Sequence, residues 1–459
     1  MGRVRWALDK AVALPHLTPA LSAPGGGEGD EAENGMIGEE LVFVATCDIS
    51  GLARGKGFPA RELPARVKKG VGWTGSNLMM SPFGPIWDTP FGTAGDFMIV
   101  PDPATEVRVD FADGSAIEHF FLGDIRNTDG SAWECCPRDF LRRAARQLED
   151  VANLRLIAAF EQEFVYTGIS DRPGDAYALG AFRRQGNFGA IFTAALRAAG
   201  VVPDTFLAEY GPRQFEVTVM PQPALTAADH AVITREMARA TANRLGHRVI
   251  FSPKPDPDLV GNGVHIHMSL VDMAGGPATH TPGEPMDLSK PAQHFFAGVL
   301  HHMPAICAIT APSPVSYLRL VPNAWAPTVI DLVRQDRGAS LRICPVFAAA
   351  TPEETARQFH VEFRTADAAA SPYLALGAVI LAGADGIRRA LPLPAPGGTA
   401  QSLPRSLPEA LDRLAASETV AGWFGPTHLD AYLRFKRVEA EKVAELSHPE
   451  LCARYAEVY

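Results

Sequence analysis

Four short segments place acids and histidines at alternate positions among apolar residues. They are Phe160-Glu161-Gln162-Glu163-Phe164, Gln214-Phe215-Glu216-Val217, His265-Ile266-His267-Met268-Ser269 and His360-Val361-Glu362-Phe363-Arg364. A period of two is the side-chain period of a β-strand, so the polar members of each segment are expected on one face, pointing the same way. For any single segment, the wet face of a half-exposed sheet explains the pattern. Four such segments together, one of them a His-x-His pair just after Gly261 and Gly263, call for something that pairs inward-facing charges, because unpaired buried charges cost several kcal/mol each. Carboxylates with an occasional imidazole suit Mg²⁺ or Mn²⁺ better than zinc, which calls for more Cys and His.

The cations point to what those metals would act on. Arg319, Arg337, Arg342 and Arg364 follow the acidic segments, two of them in Arg337-Gly-Ala-Ser-Leu-Arg342. Guanidinium forks near a metal site suit polyphosphate and carboxylate. No Gly-x-x-x-x-Gly-Lys-Ser/Thr loop occurs, so a nucleotide is expected on metals and arginines rather than on a helix-capping loop.

The elements that must position these residues fall into three stretches. Residues 1–35 end in a Gly- and acid-rich run and read as a disordered tail, or as a segment never translated, with Met36 the true start. Residues 36–135 carry short β-like runs between Gly/Pro turns, beginning with Leu41-Val-Phe-Val-Ala-Thr, and predict a small β-rich domain. From 136 to 459, strand-like alternations interleave with helical stretches at 138–150, 227–245, 291–309 and a closing helix at 429–446, with a loop at 391–407. The expected fold class is therefore α+β, and 459 residues, 47% of them hydrophobic, can bury the cores of two domains.

Net charge −10 gives no electrostatic case for nucleic acid or an anionic membrane. No apolar run is long enough to span a bilayer and no secretory signal is present, so a cytoplasmic protein is expected. Six cysteines without CxxC spacing predict neither a disulfide framework nor a zinc site.

In order and spacing, these motifs resemble glutamine synthetase of the bacterial type I group and its γ-glutamyl-amide (γ-glutamylpolyamine-type) ligase relatives. The resemblance covers nearly all of 41–459. It rests on Asp48-Ile-Ser-Gly-Leu-Ala-Arg-Gly-Lys56, the Glu161/Glu163 pair, Glu209-Tyr-Gly-Pro-Arg-Gln-Phe-Glu216, Gly261-Asn-Gly-Val-His-Ile-His-Met-Ser-Leu270, Arg337 to Arg342, and Glu362-Phe-Arg364 through Ser371-Pro-Tyr-Leu-Ala-Leu. It implies a β-grasp-like N-terminal domain and a catalytic domain built on a curved antiparallel sheet with flanking helices. It makes Glu163, Glu209 and Glu216 ligands of one metal, and Glu161, His265 and Glu362 ligands of another. Arg319 and Arg364, with Gly261 beside them, would hold glutamate. Arg337 and Arg342 would stabilise the transferring phosphoryl group, and His267 and Ser269, with Arg342, would lie by ATP. The implied reaction runs through γ-glutamyl phosphate, which an amine then attacks. The implied assembly is a homo-oligomer, a dodecameric double ring with sites between subunits.

Departures from the family pattern bear on the amine. Thr74 and Trp325 stand where ammonia-using members carry an Asp and a Glu that bind ammonium and take its proton. Val260, Arg213 and His360 replace the usual Asn, Gly and nucleotide-side Arg, and no tyrosine between Tyr373 and Tyr432 suits regulation by adenylylation. The expected acceptor is an organic amine. The alternatives are an ordinary glutamine synthetase and a catalytically silent ring protein.

Overall fold

The computed structural model describes residues 38–93, 95–395 and 401–459. The tail expected at 1–35 and the start at Met36 lie outside the described residues. Strands β1 (Leu41–Cys47), β2 (Ala53–Pro59), β3 (Val71–Thr74), β4 (Asp96–Pro101), β5 (Val107–Val109) and β6 (Glu118–Asn127) form a first sheet in the order β2-β1-β6-β4-β3, with β5 also on β6. β1 and β2 make an antiparallel hairpin around the Asp48–Lys56 motif. Asp48, fully buried, organises that turn: its carboxylate accepts from the Ser50 and Leu52 amides at 2.8 and 3.0 Å and pairs with Arg54 at 2.6 Å.

Pro137 then opens the helix Pro137–Ala152, its missing N–H falling where a helix leaves donors unsatisfied, and Asn153 closes it in the left-handed conformation. The second sheet contains β7 (Leu154–Tyr166), β8 (Pro203–Ala208), β9 (Gln214–Val219), β10 (Gln222–Pro223), β11 (Val249–Ile250), β12 (Val264–Asp272), β13 (Leu332–Arg334), β14 (Leu341–Ile343) and β15 (Val361–Phe363). Its order is β13-β14-β15-β12-β7-β9-β8, with β10 and β11 at the ends of β7. All its pairings are antiparallel except β13 with β14.

The apolar face of this sheet, with Phe160, Phe164, Phe215, Ile266 and Phe363 all buried, is covered by helices. Ala224–Arg244 lies on β7, and Lys290–Thr310 packs on Pro372–Arg388, which packs in turn on Pro137–Ala152. Gln162 corrects one expectation: it points away from Glu161 and Glu163, into the helical layer. There it donates to the Ala231 carbonyl at 3.1 Å and accepts from Arg235 at 2.8 Å. The strand period imposes this, and the helix supplies the partners that make a buried amide affordable.

Helix positions follow the sequence within a few residues, at Ala224–Arg244, Lys290–Thr310 and Pro426–Val443. Pro426–Val443 is not the closing element, since His448–Ala456 follows it behind a Ser447/Glu450 capping box. Leu407 opens the helix Leu407–Ala416 rather than ending a loop. Among the described residues no helix is long and apolar enough to cross a membrane.

Candidate active site

The polar face of the second sheet carries the site, and strand register sets its order. Glu216 of β9 lies opposite Glu163 of β7, Glu161 of β7 opposite His265 of β12, and Glu362 of β15 opposite both His267 of β12 and Arg342 of β14. Glu209 follows β8, its amide bonded to the Gln214 carbonyl at 2.8 Å. The result is two acidic groups whose ligand atoms come within 4.8 Å of one another: Glu163, Glu209 and Glu216 in one, Glu161, His265 and Glu362 in the other.

The electrostatics of the two groups differ. Burial, then the charges of Glu161, Glu163 and Glu209, push the Glu216 carboxyl up to about 10. Burial raises Glu209 as well. In the second group burial also raises, but histidines and arginine outweigh it: His265 and His267 hold Glu161 well below its ordinary range, and His265, His267 and Arg364 bring Glu362 down to about 2. His265 Nδ1 lies 2.7 Å from Glu161 and 3.4 Å from Glu362. A partly buried three-carboxylate cluster, with only His265 Nε2 at 3.9 Å from Glu163 as a nearby cationic group, fits a hard divalent ion, and the mixed carboxylate–imidazole group fits a second.

Above the acids lies a cavity lined by Glu161, Glu163, Glu209, Glu216, His265, Gly261, Arg319, Trp325, Arg337 and Arg364. Gly261 belongs there for lack of a side chain: a Cβ would lie 2.5 Å from the Arg319 side chain and 2.4 Å from the Pro253 carbonyl. Arg319 is buried and tied to the Thr365 and Ala366 carbonyls at 3.0 and 2.8 Å. The Nε groups of Arg319, Arg342 and Arg364 are buried without a hydrogen-bond partner, which leaves guanidinium edges for anions. Arg342 and Arg364 each bond Glu362, Arg342 at 2.8 Å. Arg337 is exposed at the rim.

A second, larger cavity opens on the other side of Glu161 and Glu216. It is lined by His267 and Ser269 together with Thr205, Thr218, Arg357 and His360. The structure thus brings together all the residues singled out in the sequence except Thr74, which ends β3 in the first sheet and lines neither cavity of its own chain.

Sequence reasoning missed several neighbours. Gln214 was noted only as a polar strand residue, yet its amide bridges Glu163, the Gly261 carbonyl and Asn262 at 3.3, 2.9 and 2.8 Å, fixing one acid against the glycine loop. Tyr177 donates to Glu209 at 3.1 Å, and Tyr210 stacks on Trp325 with centroids 5.8 Å apart. Tyr210 lies inside the Glu209–Glu216 motif and could have been read as facing the site, whereas Tyr177 carried no such signal.

A family model described as the glutamine synthetase catalytic domain matches residues 134–455, and one described as the glutamine synthetase N-terminal domain matches residues 32–133. The chain belongs to the glutamine synthetase family. It is similar to the gamma-glutamylpolyamine synthetase GlnA3 of Streptomyces coelicolor, 33% identical across 94% of this chain and 98% of that one. The glutamine synthetase of Pyrococcus abyssi is 27% identical across 88% of this chain and 90% of its own. Among solved structures, a novel glutamine synthase homolog superposes with TM-score 0.87 at 41% identity, covering 92% of this chain and 99% of the other. Ligand-free GmaS superposes with TM-score 0.77 at 27% identity, covering 90% and 96%. The family uses ATP and divalent metals, and its substrates are glutamate and an amine.

Proposed function

We propose that the chain is an ATP-dependent glutamate–amine ligase whose acceptor is an organic amine rather than ammonia. The observation that carries this reading is the stack of Trp325 on Tyr210 at the cavity mouth. Both rings are about half exposed, at 58% and 51%, and exposed Tyr177 lines the same cavity. Trp325 has a backbone φ of +55°, a left-handed conformation that costs a bulky residue about 1–3 kcal/mol. A fold that holds an indole there presents an apolar, π-rich surface for an alkyl chain or an organic cation. The likeness to a gamma-glutamylpolyamine synthetase supports the same reading.

In this reading Glu163, Glu209 and Glu216 hold one Mg²⁺ or Mn²⁺, and Glu161, His265 and Glu362 another. Such ions supply neutralisation of the charge shared between the transferring phosphoryl group and the carboxylate it joins. Arg319 and Arg364 orient the two carboxylates of glutamate through their unpartnered guanidinium edges, with Gly261 leaving room beside them. Arg337 and Arg342 take the phosphoryl oxygens. His267 and Ser269 face ATP in the larger cavity. Trp325 and its neighbours then exclude water from the acyl phosphate while the amine approaches. Residues 136–459 serve as the catalytic domain and residues 36–135 as the small domain of a cytoplasmic, dodecameric double ring. Thr74, remote from its own chain's cavity, acts in this arrangement at a neighbouring subunit's acceptor site.

The test is the pair Trp325→Ala and Trp325→Glu/Thr74→Asp. The first is expected to lower kcat/KM for the preferred organic amine at least about tenfold, and the second to shift preference toward ammonium. An unchanged ratio of organic amine to ammonium in both variants would exclude Trp325 from the acceptor site.

A further inference from the structure

Cys344 directly follows β14, buried, and its thiol meets His267 of β12 and His360, which directly precedes β15. Sγ lies 3.9 Å from His267 Nδ1, and ligand atoms of Cys344, His267 and His360 all come within 4.8 Å of one another. The imidazole centroids are 5.1 Å apart. Arg342 Nη1 and Glu362 Oε2 each approach the sulfur to 3.7 Å.

Each ring is oriented through its other nitrogen. His267 Nε2 lies 3.3 Å from Glu161, and His360 Nδ1 lies 2.6 Å from the Gln358 carbonyl. A carbonyl at that distance needs a donor, so Nδ1 of His360 carries a proton and Nε2 is the nitrogen left to bind a metal. Histidine ligands of metals ordinarily have this second partner, a carboxylate or a backbone carbonyl, which fixes tautomer and ring plane.

We propose that His267, Cys344 and His360 form a binding site for a softer transition-metal ion, Zn²⁺ in the first instance, distinct from the carboxylate sites. One thiolate and two imidazoles are the donors that zinc selects and that Mg²⁺ does not. Tetrahedral zinc with ordinary bond lengths sets sulfur and nitrogen about 3.6 Å apart, so the Cys344–His267 pair needs to close by only a few tenths of an ångström. His267 and His360 line the larger cavity, which leaves the fourth position to a water or an anionic oxygen from that side. The cysteine spacing rule misses such a site because it has a single cysteine, and His267 of β12 lies far from Cys344 and His360 in sequence.

The test titrates full-length protein with Zn²⁺ against a chromogenic chelator, with Mg²⁺ in excess to occupy the carboxylate groups. Cys344→Ser and His360→Gln are each expected to weaken Zn²⁺ binding at least about tenfold, while Glu209→Gln, which alters the three-carboxylate group, leaves it within about twofold. Co²⁺ in place of Zn²⁺ is expected to give a thiolate-to-metal charge-transfer band in the wild type. Among the described residues no other cysteine belongs to a group of metal-ligating side chains. Equal Zn²⁺ affinity in wild type and Cys344→Ser, or a Co²⁺ spectrum of the wild type without the thiolate band, would overturn the proposal.

Discussion

Glu163 and Glu216 face each other directly across β7 and β9. Like charges in that position destabilise a sheet, and burial deepens the conflict. Without metal, the Glu216 carboxyl pushed up to about 10 stays protonated at neutral pH, whereas in the unfolded chain it ionises near 4.5. Between those values the folded state holds a proton that the unfolded state has lost, so the stability of metal-free protein falls as pH rises through this window. Mg²⁺ or Mn²⁺ in place of the proton is expected to raise Tm, with about 2.7 kcal/mol at a hundredfold excess over Kd, and to raise it more at about pH 8 than at about pH 6. Thermal melts with and without metal check this, and Glu216→Gln should lose most of the metal effect. A Tm indifferent to divalent ions at every pH would contradict it.

Glu362 should behave differently from the other acids, because it is 1% exposed and holds Arg342 and Arg364 together. Its removal leaves two guanidinium groups in low dielectric. Glu362→Ala is expected to lose activity and also about 3–5 kcal/mol of stability. Glu163→Ala, which breaks no such pair, should lose activity with the fold largely intact. Equal stability losses in denaturant titrations of the two variants would show that the arginine pairing contributes nothing.

Arg138 ties the first sheet to the helical layer that covers the second. Its guanidinium, 2% exposed, bonds Asp102 and Asp124 from the first sheet's side at 2.8 and 3.0 Å, and Asp229 of the helix Ala224–Arg244 at 2.9 Å. Tyr373 adds a bond to Asp229 at 2.6 Å. Arg138→Ala takes the one cation from buried Asp229, which keeps only Tyr373, while Asp124 keeps Arg142; the loss is expected to cost about 3–5 kcal/mol, read as a lower denaturant midpoint. A change below about 1 kcal/mol would mean that solvent reaches the cluster in the native state.

His428 is fully buried beside the rings of Phe140 and Phe424. Burial, with a smaller contribution from the charge of Arg143, lowers its imidazole to about 3. Below about 6.5 the unfolded chain takes up a proton that the folded chain refuses, so stability falls as pH drops from there toward 3. His428→Phe removes that loss, and its stability relative to wild type should improve by about 2 kcal/mol between about pH 7 and about pH 5. Parallel stability profiles across this range would contradict the assignment.

What the sequence revealed depended on periodicity. The strand period placed Glu161, Glu163, Glu216, His265 and His267 on one face, because alternation is local and each strand is long enough to display it. Gln162 broke the rule that polar members share a face, since its partners lie in the helix Ala224–Arg244, far along the chain. Helix ends shifted by a few residues because capping groups such as Ser289 decide them, not the apolar pattern. Tyr177, Gln214 and Cys344 gain their significance from neighbours 32, 47 and 77 residues away in sequence. No local pattern encodes such pairings.

The most direct measurement of the central claim is the specificity constant of the wild-type enzyme for ammonium and for a panel of alkyl, aryl and polyamine acceptors. It is read as phosphate released from ATP plus glutamate, with the γ-glutamyl amide identified by mass. Thr74 and Trp325 cannot supply the fixed negative charge that ammonium needs in a closed site, and the Trp325–Tyr210 stack offers an organic amine a matching surface. At least one organic amine is therefore expected to exceed ammonium in kcat/KM by ~100-fold, about 2.7 kcal/mol of transition-state discrimination. Ammonium used as well as every organic amine would contradict the account and leave an ordinary glutamine synthetase.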